Sequence, residues 1–183
     1  MKKIIKLKKP LKIYKLDGYL IPKNDDYFNE YVSKSSDRLK FISNFSGSAG
    51  FAIILHGRSY LFVDGRYTIQ AKIQSGKNFK IITIPEKLPR DIFKFNKKFK
   101  IGFDPKLHNE KQLKFFFNFK NIILKPINKN LIDVIWNKKP KDFIKPFFSL
   151  TNKNAGLSAQ KKITKVKNFL LKNKINYLLV TAP

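Results

Sequence analysis

His56 and His108 are the only imidazoles in this chain. A hydrolytic metal centre needs three or more His, Asp or Glu side chains converging on one point. Neither histidine belongs to a His-Glu cluster. His56 closes an apolar run and His108 precedes Asn109 at an expected helix start, so both are read as surface or capping groups. Ser46 and Ser48 are the possible nucleophiles, within Ser46-Gly47-Ser48-Ala49-Gly50. That spacing is not the Gly-x-Ser-x-Gly elbow that exposes a serine on a strand-to-helix turn. The turn also lacks the Lys-Ser or Lys-Thr ending of a phosphate loop, and it leads into a strand. It is read as a packing turn in which Gly47 and Gly50 let a helix and a strand approach closely. Asp25, Asp26 and Glu30 form an acidic patch with no neighbour that would raise a carboxyl pKa. They are read as a solvated face and as partners for local cations. Arg66 follows Asp64-Gly65 in the first turn of an expected helix, where a positive charge opposes the helix dipole by ~0.3–1 kcal/mol. The expected offset is an ion pair with Asp25, Asp26 or Glu30, or a role at an interface.

These residues need a frame, and the hydrophobic pattern supplies one. Asp17 to Pro22 reads as a short strand after a basic lead-in, ended by a proline that cannot donate to a ladder. Ser36-Asp37 caps a helix through Leu39 and Ile42. Gly50 to His56 is a continuous apolar run of strand length, as for a strand buried on both faces. Gly57-Arg58 turns the chain, and Ser59 to Asp64 returns as the antiparallel partner. The helix from about Arg66 to Ser75 is expected to face inward through Ile69, Ile73 and Ala71. Further strands are expected at Phe79 to Ile84, Lys100 to Phe103 and Asn121 to Lys125. Further helices are expected at Leu107 to Phe117 and Asn130 to Trp136. Alternating strands and helices with one hairpin predict an α/β fold with a mixed sheet flanked by helices. Residues 1–139 are expected to form this domain and residues 140–156 a linker. Residues 157–183 then restart the pattern, with a helix capped by Ser158 and a strand over Leu178 to Thr181.

Composition narrows the function classes. The apolar fraction is 43%, with 18 Phe, enough for a core. No cysteine is present, which excludes disulfides and thiolate-bound zinc. No apolar run reaches the ~18 residues of a membrane span. The N-terminal stretch is a poor secretion signal, and a cytoplasmic protein is expected. The net charge is +27, but only four of the 39 basic residues are Arg, the better reader of bases and phosphates. Lys is scattered, and compositional drift is the preferred explanation. Aromatic residues interleave with Lys at Phe93 to Phe99 and Lys114 to Lys120, which keeps open single-strand nucleic-acid binding. Core aromatics are the simpler reading.

In order along the chain, these segments resemble the N-terminal region of the creatinase and Xaa-Pro aminopeptidase family. Asp17 to Pro22 resembles its opening strand, and Asp25 to Tyr31 an acidic segment ending in Glu30-Tyr31. Arg38 and Phe41 to Gly50 resemble an Arg followed by Ser-Gly-Phe-x-Gly-Ser-Ala-Gly, with Asn44 at the first Gly. Asp64-Gly65-Arg66-Tyr67 with Gln70-Ala71 resembles the strand-to-helix signature, and Gly102 to Pro105 its Gly-x-Asp-Pro. Asn130 to Asp133 with Ile135-Trp136 resembles Asn-Leu-Val-Asp-x-Ile-Trp, the mark of the three-domain subtype. Leu178 to Ala182 resembles the opening of the next domain. Many relatives carry a His where this chain has Tyr27.

The resemblance implies a ribonuclease H-like first domain, a similar second domain begun at residue 157, and a third, pita-bread domain. That third domain would hold two divalent metals, usually manganese, through two Asp, one His and two Glu, and cleave the bond before proline. None of it falls within these 183 residues. The expectation is a non-catalytic N-terminal part, with no cofactor of its own, that shapes active-site access and assembly. Its implied partners are its own C-terminal domains, a second copy, and proline-containing peptides acted on by the whole enzyme. No specific nucleic acid and no membrane are expected. Structural or interface roles are implied for Asp25, Glu30, Arg38, Gly47, Ser48, Gly50, Asp64, Gly65, Arg66 and Tyr67. The alternatives are a stand-alone binding module of this fold, or a basic nucleic-acid-binding protein.

Overall fold

The structure, a computed structural model, describes residues 2–93, 98–142 and 146–180. The chain divides into two compact units, Met1–Asp142 and Phe143–Pro183.

The first unit is built on six strands: β1 (Gly18–Pro22), β2 (Gly50–Leu55), β3 (Ser59–Asp64), β4 (Lys80–Ile84), β5 (Phe99–Phe103) and β6 (Ile122–Pro126). They form one sheet in the order β4-β3-β2-β1-β5-β6. β2 runs antiparallel to both its neighbours, while β3–β4, β1–β5 and β5–β6 are parallel. Five strands therefore point one way and β2 alone is reversed. The hairpin turns on His56 and Gly57, since Leu55 N–H bonds Arg58 C=O at 2.8 Å. The turn lies one residue earlier than Gly57-Arg58.

The period-two alternation of strand side chains divides the core into two layers. Tyr19, Ile21, Ala52, Ile54, Leu61 and Val63 face one layer. It is closed by the helices α1 (Lys2–Ile13), α2 (Arg38–Ser43), α3 (Thr68–Ser75) and α6 (Leu131–Ile135). Leu20, Phe51, Ile53, Tyr60, Phe62 and Ile101 face the other, closed by α4 (Pro89–Ile92) and α5 (Glu110–Phe117). Phe93 and Phe117 are buried in this second layer, so they are core residues. Residues 94–97 of that aromatic and basic stretch lie outside the described residues.

Two features depart from the sequence reading. The basic lead-in is the helix α1: Leu7 and Leu11, one turn apart, are fully buried beneath a lysine-covered outer face. In α3 the isoleucines point outward. Ile69 is 75% and Ile73 78% exposed, while Ala71 is fully buried and Ser75 nearly so. The helix lies close to the sheet on its small residues, leaving no room for isoleucine on that face.

The second unit holds α7 (Asn152–Ala155) and α8 (Ala159–Lys172). Ser158 Oγ caps α8 by accepting from Lys161 N–H at 3.3 Å. Ile163, Val166 and Phe169 lie along α8 and stay 43–61% exposed. The strand expected over Leu178 to Thr181 is absent through Val180, and Thr181 lies outside the described residues. The linker reading of 140–156 includes α7, and its residues 143–145 also lie outside them.

Candidate functional site at the carboxyl edge of the sheet

The reversal of β2 brings its amino end to the same edge as the carboxyl ends of the other five strands. The loops that carry most of the motif residues gather there, the edge where α/β folds usually place ligands.

Asp25 leaves β1 and organises the next turn. Its Oδ1 accepts from the N–H groups of Tyr27 and Asn29, both at 3.0 Å, and its Oδ2 from Asn29 Nδ2 at 2.9 Å. Burial pushes the Asp25 carboxyl up, but the hydrogen bonds from Asn29 and Tyr27 outweigh it and hold the group below its ordinary range. Asp25 is thus buried and locally engaged, a correction to the solvated face. Asp26 and Glu30 are exposed.

The Ser46–Gly50 turn is held from two sides. Ser46 N–H donates to Gln74 Oε1 at 2.8 Å, and Ser46 Oγ accepts from Gln70 at 3.0 Å and Gln74 at 2.8 Å. Ser48 Oγ and Tyr67 Oη share a hydrogen bond of 2.9 Å. A Cβ at Gly47 would fall on the Phe45 ring, and one at Gly50 would meet Phe62 C=O at 2.7 Å. The packing role of this turn is therefore visible atom by atom.

Asp64 ends β3 and caps the 3-10 turn Gly65–Tyr67 that precedes α3, accepting from Arg66 N–H at 3.0 Å. The same oxygen takes Arg66 Nε at 2.9 Å. Arg66 thus pairs with its own capping carboxylate, and no ion pair forms with Asp25, Asp26 or Glu30. The Arg66 side chain is 73% exposed, and its bonds to Asp64 lower that carboxyl's pKa. This contradicts the expected long-range pairing. A cap two residues away meets the same electrostatic need.

Arg38 belongs to a separate, stronger constellation. As the first residue of α2, it sends Nε to Asp133 Oδ1 at 3.0 Å and Nη2 to Oδ2 at 2.9 Å. Asp133 stands in α6, and Lys139 joins it at 3.0 Å. Only 9% of the Arg38 side chain is exposed, and its Nη1 has no partner. Burial disfavours its charge, and the bidentate Asp133 carboxylate more than restores it. Both residues stand in the motifs, but their 95-residue separation hides the pairing from a single sequence.

Between these loops and α5 lies a cleft of about 280 Å³. Phe51, Phe116 and Phe117 give it an apolar wall, and Ser48, Asn24 and His108 also line it. His108 is not a cap, because Asn109 caps α5 by accepting from Gln112 N–H at 2.8 Å. The imidazole packs edge-on to Phe103 with centroids 5.6 Å apart. Its Nδ1 is buried without a partner, and burial lowers its pKa to about 4. No sequence signal marked this residue as desolvated. Lys23 beside it is neutralised by Asp37 at 2.7 Å.

Ser48 bonds a phenol and not an imidazole, so the edge has no nucleophile–base pair of the Ser-His kind. Among the described residues no group of three His, Cys, Asp or Glu side chains could hold a metal ion. The two metals implied by the resemblance do not fit the described residues. The edge is a hydrogen-bonded, partly apolar surface.

Residues 3–128 match the family described as the Creatinase/Prolidase N-terminal domain. The chain belongs to that family. Its relatives include a probable Xaa-Pro aminopeptidase P from Coprinopsis cinerea, 32% identical over 98% of this chain and 30% of the relative. Mouse Xaa-Pro aminopeptidase 2 is 28% identical over 90% of this chain and 25% of its own length. Among solved structures, the X-prolyl aminopeptidase of Caenorhabditis elegans superposes with a TM-score of 0.76 at 26% identity. The match covers 94% of this chain and 31% of that one, which is described as a cytosolic enzyme with a di-nuclear active site. The N-terminal domain of the cytoplasmic peptidase PepQ from Mycobacterium tuberculosis shares the fold, with a TM-score of 0.55 over 98% of its length. The chain spans about three-tenths of the length of the curated relatives it matches.

Proposed function

We propose that this chain is the non-catalytic N-terminal part of a cytosolic, metal-dependent Xaa-Pro aminopeptidase. The parent reaction is release of the first residue from peptides with proline second. The observation that carries this reading is colinearity: 98% of the chain aligns to 30% of an Xaa-Pro aminopeptidase P, and the described residues bring together no metal-ligand set. On this reading the carboxyl-edge loops form a wall beside the peptide entrance. Asp25, Ser48, Tyr67 and the Asp64–Arg66 pair fix its shape, and α8 packs into a second domain. The manganese pair would be held elsewhere in the parent.

Burial of Phe93 and Phe117 removes two of the rings that the nucleic-acid alternative would stack on bases, while Phe115 stays 59% exposed.

The test has two parts. The purified 183-residue chain, supplied with manganese and a tripeptide carrying proline second, should release no amino acid. Sequencing the gene beyond Pro183 should reveal a downstream region with two Asp, one His and two Glu ligands. Metal-dependent turnover by the clean chain would place catalysis within it and defeat the proposal.

A further inference from the structure

The opposite edge of the sheet carries a second concavity that the proposed role does not use. It is a cleft of about 470 Å³ where the β2–β3 hairpin, the start of β4 and the side of α1 that carries Ile4, Ile5 and Lys8 meet. Four cations line it: Lys8 from α1, Arg58 from the hairpin, Lys77 from the 3-10 turn after α3, and Lys80 from β4. His56 lines it too, and no carboxylate does. Ile4, Ile5 and Leu55 supply apolar lining.

None of the four cations forms an ion pair among the described residues. Elsewhere two of the cations the chain buries are neutralised: Lys23 takes Asp37 and Arg38 takes Asp133. In the adjoining hollow, Asp17 is occupied by the backbone N–H of Lys100 at 2.8 Å. Like charges gathered in a concave, partly apolar site raise its potential and concentrate counter-anions. Arg58 adds a planar fork suited to phosphate oxygens. A single phosphate would leave much of the volume empty. A ligand with several adjacent phosphates and a small uncharged body matches both the charge and the apolar lining.

We propose that the cleft between the β2–β3 hairpin and α1 is an anion site for a compound bearing two or more adjacent phosphates, held by Lys8, Arg58, Lys77 and Lys80. The site does not depend on the aminopeptidase reading, because it uses none of the motif residues.

The experiment is calorimetric titration of the 183-residue chain with inorganic tripolyphosphate at about 0.15 M salt, where diffuse surface attraction is largely screened. The expected result is one saturable site. Arg58→Ser with Lys77→Ser should weaken it by about tenfold or more. Both side chains are exposed, so the variant should keep its thermal midpoint. Lys161→Ser with Lys165→Ser removes the same charge from the second unit and should change affinity less than about twofold. Flotation with vesicles of phosphatidylcholine and phosphatidylinositol bisphosphate identifies the source. Cleft-dependent vesicle binding assigns a lipid headgroup, and tripolyphosphate binding without it assigns a soluble ligand. Equal losses in the two variants, many weak sites, or a poly-glutamate peptide binding as tightly as tripolyphosphate would each overturn the proposal.

Discussion

Asp133 and Arg38 are the residues whose loss should be felt most. Asp133→Ala leaves a guanidinium that is 9% exposed without its bidentate partner, as well as releasing Lys139. Stranding a buried charge costs ~3–5 kcal/mol, and the partial exposure of Asp133 brings the expected loss to about 2–3 kcal/mol by urea unfolding. Arg38→Met should cost less than Asp133→Ala, because it removes the charge together with its need for a partner. His108 gives a pH signature. Its pKa is about 4 in the fold and the ordinary 6.5 when unfolded, so the unfolded state binds the extra proton between those values. The stabilising contribution is complete above pH 6.5 and is lost as pH falls toward 4, by up to ~1.4 kcal/mol per pH unit. His108→Phe should flatten stability over that window. Titration of the His108 imidazole resonance near 6.5 in the folded protein would contradict the burial.

The elements show how far a single sequence could be read. β2 and β3 were legible because both their faces are buried and their sequences are continuously apolar. The caps at Asp37 and Ser158 were legible because a capping side chain acts within three residues. α1 was not, since Pro10 reads as a breaker and lysines crowd the one-turn spacing of Leu7 and Leu11. The inward face of α3 was misread for a related reason. Apolarity marks Ile69 and Ile73, but the space above the sheet admits only Ala71 and Ser75. Ile73→Gln should therefore change stability by less than about 0.5 kcal/mol, whereas Ala71→Leu should cost ~1–3 kcal/mol through overpacking. Chemical denaturation of the two variants side by side tests this directly. In the candidate site, the tight turn was visible as glycines and serines, while the partner of Arg38, 95 residues away, depended on the path of the chain.

Over the whole molecule, stability should be divided as unevenly as burial. No described residue of 159–180 is buried, so its amides should exchange with solvent far faster than those of β1, β2 and β3. A chain ending at Asp142 should unfold cooperatively at the midpoint of the full chain, because the core layers draw only on residues before it. A midpoint several degrees lower would mean that 143–183 braces the first unit. The strand order also bears on biosynthesis. β1 is made early yet lies between β2 and β5, and α1, made before β1, packs against α6, formed by Leu131–Ile135. The ribosome therefore emits the innermost strand long before its second neighbour exists, and the lid of one layer before its counterpart. Until β5 emerges, the nascent chain exposes an unpaired edge of β1, which makes the early segment a natural client for chaperones that shield apolar strands.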